Sequence, residues 1–135
     1  MKALITGASS GIGREFARQL SKMGYDVIAV ARNIDKLHDL SNELTTEVTP
    51  IKADLSQRDE CIALFEKVKN NDIDILINNA GFGKLGYFTD IPLDSELDMI
   101  SVNCSALHIL TKLFLQKFES ENKGYILKTR ACRSS

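Results

Sequence analysis

An open, doubly wound α/β sheet of five parallel strands, in the order 3-2-1-4-5, is the fold this sequence predicts. Short β-rich apolar runs alternate with segments of helical spacing, in the order β-α-β-α-β-α-β-α-β. Such alternation reads as right-handed βαβ units whose parallel sheet is covered on both faces. At about 30 residues per unit, 135 residues hold four units and a final strand.

The elements follow in order. Ala3-Leu4-Ile5 is the first strand, and Ile12, Phe16, Leu20 and Met23 recur every three to four residues on one face of the first helix. Val27-Ile28-Ala29-Val30 is the second strand, followed by Ile34, Leu37, Leu40 and Leu44 at helical spacing. Val48-Thr49-Pro50-Ile51 is the third strand, and Ile62, Phe65 and Val68 mark the third helix. Ser56 stands ready to cap that helix, with Asp59 three residues on. Ile73-Asp74-Ile75-Leu76-Ile77 is the fourth strand, residues 95–118 are a longer helical stretch, and Tyr125-Ile126-Leu127 is the fifth strand. Gly24 and Gly124 fall just past helix ends, where a positive φ is often wanted. No repeat, linker or charge block marks a boundary, so residues 1–127 are read as one domain.

Composition narrows the function classes. With 44% hydrophobic and 26% charged residues, the chain is neither disordered nor low-complexity. Lys plus Arg number 17 against 18 for Asp plus Glu, a net charge of -1 that gives no reason to expect a nucleic-acid partner. No apolar run approaches the roughly 20 residues that span a bilayer, and Gly7 breaks the opening segment too early for a signal peptide. Cys61, Cys104 and Cys132 are scattered and odd in number, without a CxxC pair, so neither a disulfide framework nor a zinc site is expected. Cys61 and Cys104 read as small core residues. His38 and His108 lack metal-ligand spacing, and no metal is expected. The cytoplasm is the expected compartment.

Thr6-Gly7-Ala8-Ser9-Ser10-Gly11-Ile12-Gly13 joins the first strand to the first helix, where a dinucleotide pyrophosphate binds in such sheets. The backbone must turn sharply at Gly7 and approach phosphate closely at Gly11, while Gly13 lets helix and strand pack. The helix N-terminus adds free amides and a partial positive charge. Gly7, Ser9, Ser10, Gly11, Ile12 and Gly13 are therefore candidate cofactor contacts.

The spacing is Gly-x-x-x-Gly-x-Gly, and with it the chain resembles the classical short-chain dehydrogenase/reductase family, which has a Rossmann-like fold. The resemblance covers residues 2–127 and extends to three further places. Asp54-Leu55 after the third strand looks like the family's adenine-contacting acidic site. Asn78-Asn79-Ala80-Gly81 after the fourth matches its Asn-Asn-Ala-Gly signature, placing Asn79, Ala80 and Gly81 at the cofactor. Asn103, in Val102-Asn103, falls where the family carries its catalytic-site asparagine. Taken singly, each also has a structural reading: Asp54 as a turn or cap residue, the Asn-Asn-Ala-Gly run as a turn, and Asn103 as a buried amide with local partners.

At the end of the second strand, Val30-Ala31-Arg32-Asn33 carries no carboxylate where an NAD enzyme normally holds the adenosine ribose. Arg32 instead offers a guanidinium suited to a 2'-phosphate. The cofactor expected is NADP(H).

The resemblance also implies chemistry that these residues do not contain. The family's acid/base pair is Tyr-x-x-x-Lys, in which the lysine lowers the tyrosine pKa, aided by a serine after the fifth strand. Tyr25, Tyr87 and Tyr125 are the only tyrosines, and none has Lys four residues on. Of the tetrad the chain offers only Asn103. The serine would fall near residues 130–132, where the chain reads Arg130-Ala131-Cys132.

Polarity changes abruptly after Leu127, where a buried strand should continue apolar. Residues 128–135 are accordingly expected to be an aberrant tail, from a frameshift, a premature stop or cloning-site codons, with natural truncation as the alternative. The fifth strand is then an exposed edge and a template for pairing, so a homo-oligomer through it is expected. The leading reading is the cofactor-binding part of an NADP(H)-dependent oxidoreductase that interconverts a small alcohol and carbonyl, inactive as this chain alone. The alternative is a non-catalytic dinucleotide-binding or sensor module. A methyltransferase is disfavoured by Ala31-Arg32, and a P-loop nucleotidase by the lack of Gly-Lys-Ser/Thr after the glycines.

Overall fold

The computed structural model describes residues 1–9, 11–79 and 92–128. In chain order the elements are β1 (Lys2–Thr6), α1 (Gly11–Lys22), β2 (Asp26–Ala31), α2 (Ile34–Glu43), β3 (Val48–Lys52), α3 (Arg58–Val68), β4 (Ile75–Asn78), α4 (Leu93–Glu121) and β5 (Tyr125–Lys128). The strands form one parallel sheet in the order β3-β2-β1-β4-β5, as the alternation of patterns predicts.

Each face of the sheet carries its own core. Ala3, Ile5, Val27, Ala29 and Ile77 point to one side, where Ala17 and Leu20 of α1 and Leu37 and Leu40 of α2 cover them. Leu4, Ile28, Val30 and Leu76 point to the other, beneath Leu64 and Val68 of α3 and Leu110, Phe114 and Phe118 of α4. This two-sided burial is why the strands read as continuous apolar runs. Phe65 and Phe114 lock α3 to α4 edge-to-face, with ring centroids 5.1 Å apart. Pro50, in register with Ala29, is tolerated because β3 is an edge strand and needs no donor on its outer side.

Several local expectations are corrected. Ile12 of α1 (62% exposed) and Met23, just past its end, face solvent; the buried stripe is Gly13, Ala17, Leu20 and Ser21. Small residues, Gly13, Ala17 and Ser21, share the buried positions with Leu20, and Phe16 packs beside them. On α3 the buried residues are Cys61, Leu64 and Val68, while Ile62 is exposed. Ser56 does not cap α3, whose N-cap is Gln57 with no side-chain cap bond. The Ser56 hydroxyl instead donates to Asp54 Oδ1 at 2.5 Å. The fourth strand starts at Ile75, because the Ile73 amide is held by the Asn71 carbonyl in a turn. Gly24 and Gly124 do adopt positive φ, but the residue ending α4 is Asn122, itself left-handed at φ 56°.

Candidate cofactor-binding site

Three strand ends converge on one cavity of about 770 Å³. Gly7 and Ser9 line it after β1, Ala31, Arg32 and Asn33 after β2, and Lys52, Ala53 and Leu55 at the end of β3. Backbone bonds hold these ends in line: Ala8 N donates to Val30 O (3.1 Å), and Ala53 N donates to Ala31 O (3.0 Å). Asn79, just past β4, closes the far side.

The glycine turn is built for close approach. Gly7 and Gly11 have φ of 65° and 58°. A Cβ on Gly13 would stand 2.1 Å from Gly7 O and 2.6 Å from Asn79 Nδ2, so no side chain fits there. A Cβ on Gly11 would meet nothing within 4 Å, leaving that backbone open to an incoming group at the start of α1. The first-turn amides of a helix have no intrahelical partner and suit an anion. This cradle fits a dinucleotide pyrophosphate.

A buried polar network fixes the turn to β4. The Thr6 hydroxyl donates to Asn78 Oδ1 (3.2 Å) and accepts from Asn79 N (2.9 Å). Asn78 Nδ2 reaches the Leu107 carbonyl (3.3 Å) and Thr111 Oγ1 (3.4 Å) on α4, and Asn79 Nδ2 donates to Gly7 O (3.5 Å). Thr6 and Asn78 are almost wholly buried, and a buried amide or hydroxyl is stable there only when so partnered.

Of the sequence-predicted site residues, Gly7, Ser9, Arg32, Leu55 and Asn79 line the cavity. Gly11 and Gly13 shape the turn beside it, whereas Ile12 faces solvent. Asp54 flanks the cavity between Ala53 and Leu55, its Oδ1 accepting from both Ser56 N (3.1 Å) and the Ser56 hydroxyl, while its own amide donates to Glu60 Oε1 (2.8 Å). Ser10, Ala80, Gly81 and the glycine- and aromatic-rich run after it lie outside the described residues, as do residues 129–135 of the tail. Asn103 falls within α4, but its side chain is likewise outside the description.

Sequence reasoning missed Asn33, Lys36 and Lys52. Asn33 caps α2, its side chain accepting from Asp35 N (3.1 Å) and Lys36 N (3.3 Å). Its position immediately before an apolar-periodic run was the available signal. Lys36 and Lys52 both line the cavity. Among the described residues, no group of three or more His, Cys, Asp or Glu is placed to hold a metal, and no helix is long and apolar enough to cross a membrane.

Fold and site together define a Rossmann-type nucleotide-binding domain. The chain belongs to the short-chain dehydrogenase family, whose model matches residues 1–133. It is 33% identical over 132 residues to the inactive hydroxysteroid dehydrogenase-like protein 1 of Pongo abelii, covering 93% of this chain and 40% of that protein. To the very-long-chain 3-oxoacyl-CoA reductase of Anas platyrhynchos it is 32% identical, over 93% of this chain and 43% of the reductase. Among solved structures, a short-chain dehydrogenase from Sphingobium yanoikuyae in complex with NADPH superposes with a TM-score of 0.80 at 32% identity, covering 94% of this chain and 52% of that one. The chain thus spans about half, or less, of the length of these relatives.

Proposed function

We propose that these residues are the cofactor-binding portion of an NADP(H)-dependent oxidoreductase that interconverts a small alcohol and carbonyl. The observation that carries the reading is the cavity itself: a glycine cradle at one end, and at the other a β2 terminus that presents Arg32 and no carboxylate. Gly7, Ser9, Gly11 and Asn79 would hold the pyrophosphate side, with Ser10, Ala80 and Gly81 from the sequence motif. Arg32 would take the 2'-phosphate, and Leu55 with Asp54 would flank the adenine. The bound nicotinamide would supply the hydride chemistry. The chain's own contribution is orientation, through the Thr6–Asn78–Asn79 network that fixes the turn. The complex with NADPH of the Sphingobium yanoikuyae relative supports this cofactor class. Titrating the protein with NADPH and NADH tests the reading. Tighter binding of NADPH, lost in Arg32→Ala, is expected; equal affinities would overturn the preference.

By itself this chain is proposed not to turn over a carbonyl, since none of its tyrosines is followed by Lys four residues on. The same observation favours a second reading, a non-catalytic dinucleotide-binding module, and a relative that bears the name inactive gives it weight. Genomic sequence read past the Leu127 codon in all three frames separates the two. A frame with a serine and Tyr-x-x-x-Lys favours the reductase, and its absence the binding module. The scattered cysteines fit the cytoplasm, and the β5 edge suits a second copy of the chain.

A further inference from the structure

Thr111 of α4 is not among the described residues that line the cavity, yet a continuous run of hydrogen bonds joins it to the glycine turn. β1 and β4 are paired as far as Ile5 and Ile77, so Thr6 and Asn78 end their strands side by side. Asn78 Nδ2 donates to the Leu107 carbonyl (3.3 Å) and to Thr111 Oγ1 (3.4 Å), and Asn78 Oδ1 accepts from the Thr6 hydroxyl (3.2 Å). The same hydroxyl accepts from Asn79 N (2.9 Å), and Asn79 Nδ2 donates to Gly7 O (3.5 Å). That nitrogen also lies only 2.6 Å from where a Gly13 Cβ would stand, so Asn79 packs on both glycines. The direction of the bonds is determined from the two ends. The Leu107 carbonyl can only accept, which turns the Asn78 nitrogen toward α4 and its oxygen toward Thr6. The Asn79 backbone amide can only donate, which leaves the Thr6 proton for Asn78. The run also crosses the sheet: Ala17 and Leu20 of α1 cover one face, and Leu110 and Phe114 of α4 cover the other. Asn78 is 1% exposed, so an N–H that lost Thr111 would stay buried and unpaired, at a cost. It regains a partner by turning the amide, and turning takes Oδ1 away from the Thr6 hydroxyl that holds Asn79.

We propose that Thr111 is a positioning residue for the glycine turn, acting from the far face of the sheet through Asn78, Thr6 and Asn79. Its effect on binding rests on the dinucleotide reading above, whereas its effect on the turn can be followed without a ligand. The test compares wild type with Thr111→Val, Thr111→Ala and Thr111→Ser in two measurements. One is titration with NADPH, and the other is the position of the Gly7 and Gly13 backbone amide resonances in the free protein. Phe114→Leu, a buried core substitution elsewhere on α4, is the control for lost packing. Thr111→Val keeps the shape and removes the hydroxyl. It and Thr111→Ala are expected to weaken NADPH binding by roughly fivefold and to shift both glycine resonances. Thr111→Ser keeps the hydroxyl and should stay near wild type in both. Phe114→Leu should lower the urea midpoint and leave the glycine resonances in place. Unmoved resonances in Thr111→Val and Thr111→Ala, or equal movement in Phe114→Leu, overturn the proposal. Where wild type binds NADPH, unchanged affinity in both hydroxyl-lacking variants overturns it as well. If wild type does not bind NADPH but the resonances respond as expected, the dinucleotide reading falls and the role of Thr111 in the turn stands.

Discussion

A Cβ on Gly13 would lie 2.1 Å from the carbonyl oxygen of Gly7, closer than any real side-chain contact. The two glycines, six residues apart, are one structural unit: the turn at Gly7 aims its carbonyl into the space that Gly13 leaves empty. Gly13→Ala is therefore expected to push the start of α1 off the turn, at a cost of about 3 kcal/mol or more. Urea denaturation followed by circular dichroism measures this loss. Gly11→Ala meets no atom within 4 Å, and only its φ of 58° opposes a side chain, so its cost should stay near 1 kcal/mol. Similar losses in the two variants would show that the close approach is not what selects Gly13.

The Thr6 hydroxyl serves Asn78 and Asn79 at once, as donor to one and acceptor from the other. Thr6→Val keeps the shape and withdraws both bonds in a fully buried place. A loss of about 1–3 kcal/mol is expected, together with weaker dinucleotide binding, because Asn79 lines the cavity. Thr6→Ser retains the hydroxyl and should keep most of the binding. If Thr6→Val binds as wild type does, the network supports the fold without organising the site.

The strand order was legible because its signal is long-range and redundant: five apolar runs, each separated by helical spacing, admit few parallel arrangements. Which helix face is buried was less legible. Hydrophobic spacing pointed to Ile12, Phe16, Leu20 and Met23; Leu20 is buried and Phe16 packs beside it, but Ile12 and Met23 are exposed, and Gly13 and Ala17 take buried positions that apolar spacing does not mark. Ser56 was misread for a related reason. Its hydroxyl donates to the carboxylate of Asp54, two residues before it, and accepts from no helix amide as a cap would. The glycine turn could be read from spacing alone, since each glycine answers a local backbone demand. Lys52 could not, because its place beside Arg32 comes from pairing between β2 and β3, which only the folded register supplies.

Cys61 is buried on α3, and its thiol donates to the Leu55 carbonyl at 3.3 Å. Burial pushes the thiol up to about 11, with the nearby Glu60 and Asp54 carboxylates adding to the effect. The thiolate is the reactive form, so Cys61 should resist alkylation at pH 8 in the folded protein. With Cys104→Ser and Cys132→Ser removing the other thiols, labelling by iodoacetamide is expected only when urea unfolds the chain. Rapid labelling under native conditions would mean that α3 opens locally and exposes Leu55 at the cavity.

The two edges of the described sheet differ in how they resist pairing. At β3, Pro50 removes an amide from the strand and Lys52 puts a charge at its end. At β5, Tyr125 (76% exposed) and Leu127 project from one face, and no proline interrupts the strand. Exposed apolar side chains beside an outer strand edge that pairs with no other strand among the described residues favour association with a second copy of the chain. Static light scattering at micromolar concentration is expected to give a dimer or larger species. Tyr125→Lys and Leu127→Lys together should shift it toward monomer, because two ammonium groups brought to the β5 contact would each lose hydration there. Wild-type protein that scatters as a monomer would show that this edge does not recruit a second copy. An oligomer that survives both lysines would move the contact to another surface.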